Sequence, residues 1–223
     1  MNRKGTMPRM LEVCCGTAQV SRYFAAQGWE VVTVDWLAKW SPTILADVRS
    51  LKPEQLWTPG EFDVIWCSPD CTEFSLAKST APRDFAKGDS IVIACFDIIR
   101  YLTTNTDKQV FWAVVNPFTV FLRKREHMLQ WTSYLKRADF CEYRKPYMKQ
   151  TAIWTNLDNW EPRPICCKGC RCESHDGSKH QRTAQKGPSD GHGQEDSFKQ
   201  SDLFAIPKQL IEELFICIQG RRA

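Results

Sequence analysis

MLEVCCGTAQVSRYFAAQGWEVVTVD, from Met10 to Asp35, decides the fold of this chain. Its apolar start reads as a short strand and Gly16 supplies a turn. Val20, Tyr23 and Phe24 then fall on one side of an amphipathic helix, and Glu30 to Val34 forms a second strand that ends in Asp35. The segment is one βαβ unit. A glycine turn at that place lets backbone amides approach a ligand, and an acidic residue about 20 positions further on sits where a ribose hydroxyl is bound. The second glycine of a G-x-G is here Ala18, which argues against a pyrophosphate cradle and for a nucleoside cofactor that has no phosphates.

Working outward, LADVRSL places Asp47 at the end of a third strand, as an adenine-side contact or simply a solvated cap. Phe62 to Cys67 is apolar throughout and reads as a central parallel strand. The stretch WCSPDCTEFSLA then puts Cys71 one step past a tight Ser-Pro-Asp turn. A turn at the carboxyl end of such a strand opens into the crevice where α/β proteins hold their ligands, so Cys71 is a candidate nucleophile. The competing reading is a structural thiol, because free cysteine is among the most buried residue types.

Further along, the periodicities predict a helix over Ser90 to Leu102, a strand over Gln109 to Val115, a helix over Glu126 to Lys136, and strands at Phe140 to Tyr143 and Thr151 to Thr155. This alternation implies an α/β fold with a doubly wound, mostly parallel sheet in a core of residues 1–156. Residues 157–201 are rich in Gly, Ser, Gln, Lys and Asp and read as a small irregular insert. Residues 202–223 return to the core, with an amphipathic helix over Ile206 to Ile218 and Pro207 in its first turn.

Within the insert lies CCKGCRCESHDGSKH, from Cys166 to His180. Cys167 and Cys170 have the C-x-x-C spacing that grips one side of a tetrahedral metal, with Cys172 and His175 or His180 close enough to complete it. The expected zinc ligands are Cys167, Cys170, Cys172 and His175, with Cys166 competing for the place of Cys167. The alternative is a cysteine-rich loop that holds no metal.

The 223 residues carry a net charge of +4, which by itself says little about nucleic acid. Arg123, Lys124 and Arg125 form one basic cluster and Arg144, Lys145 and Lys149 another; each is either a phosphate contact or a solvated face. Eleven cysteines, an amino terminus MNRKGTMPRM without an apolar core, and no long apolar run lead us to expect a cytoplasmic, non-secreted monomer with no membrane partner. Trp57, Trp66, Trp112 and Trp154 lie in or beside core elements, whereas Trp36, just after Asp35, is a candidate neighbour for adenine.

Taken in order, these motifs resemble the cytosine C5 DNA methyltransferase family, particularly the short forms of phages and large viruses. LEVCCGTAQVSRYF looks like its first motif, VDW its second, ADV its third, and SPDCTEFSLA its Pro-Pro-Cys loop. VVNPFTVFL resembles its Glu-Asn motif, KQTAIWTN the later strand that carries an arginine, and LFAIPKQLIEEL its closing helix. The resemblance implies S-adenosylmethionine as methyl donor, with Cys14, Gly16, Ala18, Asp35, Trp36, Asp47, Ser68 and Pro69 around it. It implies double-stranded DNA with a flipped cytosine as substrate, Cys71 as the thiolate that adds to C6, and Asn116 shaping the catalytic loop.

Three positions depart from the pattern: the glutamate's place is Val115, the arginine's is Ala152, and the Pro-Pro pair is Pro69-Asp70. The family glutamate stabilises charge on the ring. A glutamate restored at Val115 is therefore expected to speed the reaction by roughly a hundredfold if the pocket has not closed around the valine. The departures also motivate a second reading, a catalytically impaired relative acting as a DNA-binding or regulatory protein. A third, an amino methyltransferase, has Cys71 where its aromatic residue should stand, and RNA is a variant substrate of the first.

Overall fold

The computed structural model describes residues 7–78, 81–167, 172, 180 and 200–222. Seven strands, β1 (Arg9–Val13), β2 (Glu30–Asp35), β3 (Ile44–Leu45), β4 (Val64–Cys67), β5 (Phe111–Pro117), β6 (Leu135–Asp139) and β7 (Gln150–Thr155), form one sheet in the order β3-β2-β1-β4-β5-β7-β6. All neighbouring pairs from β3 through β5 are parallel, and β7 runs antiparallel to both β5 and β6. This is the doubly wound, mostly parallel α/β sheet expected from the sequence.

The helices are α1 (Gln19–Ala26), α2 (Pro53–Leu56), α3 (Phe85–Thr103), α4 (Val120–Arg123), α5 (Glu126–Leu129), α6 (Gln200–Phe204) and α7 (Lys208–Arg222). Strand side chains alternate between faces, and both faces are covered. Leu11, Val13, Ile65 and Val114 pack with Val92, Cys95, Phe96 and Ile99 of α3. On the opposite face Met10, Val64, Trp66 and Val115 pack with Phe24 of α1 and Leu210, Ile211 and Leu214 of α7. Double coverage is why the strands read as unbroken apolar runs. Among the described residues no helix is long and apolar enough to cross a membrane.

Several predicted boundaries shift. α3 begins at Phe85, five residues before the predicted Ser90, because the Asp84 carboxylate accepts from the Lys87 amide at 3.0 Å and caps it. The helix predicted over Glu126 to Lys136 stops at Leu129. Trp131 stacks on Phe96 with centroids 4.4 Å apart, and Leu135 already belongs to β6. Phe140–Tyr143, predicted as a strand, is a 3-10 turn. Residues three apart eclipse in that geometry, so Phe140 and Tyr143 enter the α7-side core together while Cys141 packs elsewhere. Predicted ligands Cys170 and His175 lie outside the described residues.

β1 has β2 on one side and β4 on the other. Chain order reverses there, so the loops leaving β1 and β4 flank a crevice at their carboxyl ends, the place where open α/β sheets bind ligands. The Gly16 turn and the Cys71 turn are those two loops.

Candidate active site

The loop after β1 is built from strained backbone. Cys14, Gly16 and Ala18 all have positive φ, at 55°, 49° and 53°. Glycine adopts this without penalty, whereas cysteine and alanine each cost about 1–2 kcal/mol. Tertiary bonds hold the loop: the Cys15 amide donates to Val34 O at 3.1 Å and the Gly16 amide to Asp35 Oδ2 at 2.9 Å. The other Asp35 oxygen accepts from Leu37 N at 2.9 Å, so this buried carboxylate ties the β1 loop to the β2 loop. A Cβ on Gly16 would meet nothing within 4 Å. The glycine is needed for its φ, and the space above it is open.

Beside this space the Trp36 ring is 67% exposed. Asp47 caps the following 3-10 turn through Arg49 N at 2.9 Å, and hydrogen bonding from the Arg49 guanidinium holds its carboxyl below the usual range. The Cys14 thiol bonds to Cys95 on α3, which with burial pushes it well up, so Cys14 offers a cofactor its backbone rather than its thiol.

Ala18 provides no side-chain cap for α1; Glu12, buried in β1, does so instead by accepting from Ser21 N at 2.8 Å. Burial pushes the Glu12 carboxyl up to about 7. A carboxyl already fills the amino end of α1, where a phosphate would otherwise bind. With Asp35 adjacent, a phosphate-bearing dinucleotide fits poorly. What the loops offer instead suits an uncharged nucleoside: the exposed Trp36, a fixed carboxylate with lone pairs to spare, and no atom within 4 Å of a Cβ on Gly16.

The loop after β4 is fixed at successive points. Ser68 N donates to Val13 O at 3.0 Å and the Trp66 indole N–H to Ser68 Oγ at 3.0 Å. Buried Asn116, at the end of β5, donates from Nδ2 to Pro69 O at 3.2 Å. Asp70 accepts from the amide and hydroxyl of Thr72 at 2.9 and 2.6 Å, which turns the chain. Cys71 O then accepts from Phe74 N at 3.0 Å and Ser75 N at 2.9 Å. Two more contacts fix the far side, neither legible in the sequence: Thr119 Oγ1 donates to Phe74 O at 2.8 Å, and a Cβ on Gly88 of α3 would lie 2.8 Å from Phe74 Cζ. Cys71 itself is half-buried.

Burial pushes the Cys71 thiol up, the Lys149 ammonium draws it back down, and Asp70 adds to the upward push. Lys149 is the cation of this site, just before β7. Its Nζ donates to Leu203 O at 2.7 Å, beside the end of α6. Sequence reading placed Lys149 in a surface cluster; its position directly ahead of a core strand was the available clue. The arginine's expected place, Ala152, is fully buried in mid-strand, in register with Asn116 and Arg137. Val115 pairs with Ile153 and packs into the α7-side core.

The other basic cluster is also partly structural. Arg125 forms an ion pair with Asp89 on α3, and Arg123 lies over the Phe118 ring at 5.1 Å.

A second group of reactive side chains sits at the far edge of the sheet. Cys141, Cys166, Cys172 and His180 have their donor atoms all within 4.8 Å of one another. Of the expected set, Cys172 is among them, together with the two alternatives that the spacing left open, Cys166 for Cys167 and His180 for His175; Cys170 and His175 lie outside the described residues. Cys167 is exposed and disulfide-bonded. Cys141 comes from the core, 25 residues before Cys166, where no local spacing rule looks for it.

No protein-family profile matches the sequence. The chain is 28% identical over 225 residues to the "Probable DNA (cytosine-5)-methyltransferase" of Frog virus 3 (isolate Goorha), covering 94% of this chain and 100% of that protein. A solved structure, that of the PH0226 protein from Pyrococcus horikoshii OT3, is similar with a TM-score of 0.34 and 17% identity over 60% of this chain and 58% of that one. The alignment with the frog virus protein thus runs nearly end to end, and the cysteine loop of this chain stands at the switch point of its α/β sheet.

Proposed function

We propose that the chain transfers a methyl group to C5 of cytosine in DNA through a covalent bond from Cys71. The observation that carries this reading is the Cys71 turn, fixed by Asn116 and under the charge of Lys149, at the switch point beside the Gly16 turn. S-adenosylmethionine supplies the methyl group as an electrophile. Gly16 and Asp35 hold its ribose side, Trp36 and Asp47 its adenine side, and Cys14, Ala18, Ser68 and Pro69 shape the backbone around it. The frog virus relative, by its printed name, points to the same substrate class.

In this reading the cytosine is flipped out of the duplex into the space over Cys71. The Cys71 sulfur adds to C6, C5 gains the electron pair and takes the methyl group, leaving S-adenosylhomocysteine, and transfer of the C5 proton to a water acting as base re-forms the C5–C6 double bond and expels the thiolate. Lys149 favours the thiolate before attack and faces the negative charge that the ring gains, a task the family gives to other residues. Asn116 keeps the sulfur aimed. Residues 157–201 lie where the family carries its target-recognition region, and so short a reader implies a short or degenerate target.

Duplex DNA carrying 5-fluorocytosine tests the proposal, because fluorine cannot leave C5 as a proton does and the thioether persists. A denaturant-resistant adduct is expected from the native chain with cofactor, and none from Cys71→Ala. DNA binding without any adduct would reject Cys71 as nucleophile and favour the regulatory reading.

A further inference from the structure

We propose that Cys141, Cys166, Cys172 and His180 form a closed, four-coordinate zinc site that clamps the insert to the catalytic core. The ligands come from three places. Cys141 belongs to the 3-10 turn after β6, Cys166 to the segment that returns along that turn, and Cys172 and His180 to the insert. The three cysteines are buried and His180 is half-buried.

The distances among Cys166, Cys172 and His180 match those around a tetrahedral ion, and Cys141 Sγ lies within 4.8 Å of all three donors. Sγ of Cys166 and Sγ of Cys172 are 3.9 Å apart, and His180 Nε2 lies 3.4 Å from the first and 3.5 Å from the second. Bonds of about 2.3 Å to sulfur and about 2.0–2.1 Å to nitrogen at tetrahedral angles put two sulfurs about 3.8 Å apart and a sulfur and nitrogen about 3.6 Å apart. Three cysteines and one histidine are also an ordinary structural zinc set, with no position left open for catalysis.

The surroundings hold these donors in place. Asp139, at the end of β6, is gripped by Arg137 at 2.9 and 2.8 Å and accepts from the Cys166 amide at 3.0 Å, which fixes the loop bearing that ligand. Arg163 ties the same segment down through Tyr143 Oη, which accepts from its amide at 3.0 Å, and through Glu213 of α7 at 2.7 Å. Met148 packs against the cluster of the three cysteines. The next residue is Lys149, so the clamp adjoins the residue whose charge bears on Cys71. Metal binding supplies folding free energy at the joint where these four ligands meet. Three thiol protons pass to solvent as the ion binds.

Metal content tests this independently of methyl transfer. The full chain, purified without chelators from zinc-supplemented cells, should hold about one zinc per chain. Exchange for cobalt should give tetrahedral d–d bands and thiolate-to-cobalt charge transfer. Cys141→Ser should lose the metal, and Cys167→Ser should keep it. His180→Cys guards against simple misfolding, since it should retain zinc and intensify the charge-transfer bands. A folded chain without zinc that takes up no cobalt, a Cys141→Ser variant with full metal content, or a Cys166–Cys172 disulfide found by mass spectrometry would each overturn the clamp.

Discussion

Asn116 reaches from the end of β5 to the Pro69 carbonyl, 47 residues earlier in the chain, with an Nδ2 to O distance of 3.2 Å. The bond fixes the residue two before Cys71, and among the described residues Asn116 Oδ1 has no hydrogen-bond partner. One side chain thus joins the strand beside the crevice to the loop that carries the candidate nucleophile.

Asn116→Asp should be worse than Asn116→Ala, because it sets a carboxylate against a carbonyl where a donor stood. The alanine variant should lose about 1–3 kcal/mol of stability. Its single-turnover rate should fall about a hundredfold through misplacement of the sulfur, with binding of S-adenosylhomocysteine unchanged. Equal rates in native and alanine proteins would show that the loop holds itself.

Lys149→Met should shift the pH profile of Cys71 alkylation by iodoacetamide to higher pH, since the ammonium is what offsets part of the burial effect on the thiol. Lys149→Arg should leave the profile near that of the native chain. An unchanged profile in the methionine variant would remove Lys149 from the site.

Asp35→Ala should abolish the rise in melting temperature produced by S-adenosylhomocysteine, a ligand that at a hundred times its Kd would stabilise the native chain by about 2.7 kcal/mol. The variant loses both the carboxylate and the tie to Gly16 N. Asp35→Asn, which keeps one acceptor oxygen, should retain part of the shift.

Glu12 gives the stability a definite pH dependence. Its carboxyl moves from an ordinary 4.5 to about 7 on folding, so the folded state holds the proton more tightly than the unfolded one. Stability falls as pH rises from 4.5 to about 7 and levels off above, by on the order of 3 kcal/mol. Arg22 is the cation that opposes the shift. Glu12→Gln keeps an acceptor for Ser21 N and should flatten this part of the curve in urea denaturation across pH. A slope equal to the native one would place the titration elsewhere.

Val115→Glu puts a carboxyl among Trp66, Ala113 and Ile153 rather than into open space. Urea denaturation should show a loss of at least about 2 kcal/mol, smaller at acidic pH where the new carboxyl is neutral. This is the condition under which no gain in rate is expected, because the core has closed around the valine. A stable and faster variant would show that the strand end can open toward the substrate.

The sequence by itself determined the βαβ unit of Met10 to Asp35, the apolar strand before Cys71 and the Gly16 turn. Each is written in local spacing, where period, turn residues and apolar runs carry the information. Tertiary structure alone decided which residues meet. The charge of Lys149 bears on Cys71 although the two are 78 residues apart, because β7, which Lys149 precedes, runs antiparallel beside β5. Asn116 and Thr119 hold a loop more than 40 residues away. Cys141 joins Cys166, Cys172 and His180 because a 3-10 turn at the sheet edge lies against the root of the insert. Hydrogen bonds and metal geometry depend on distance in space, and only the folded sheet brings these groups together.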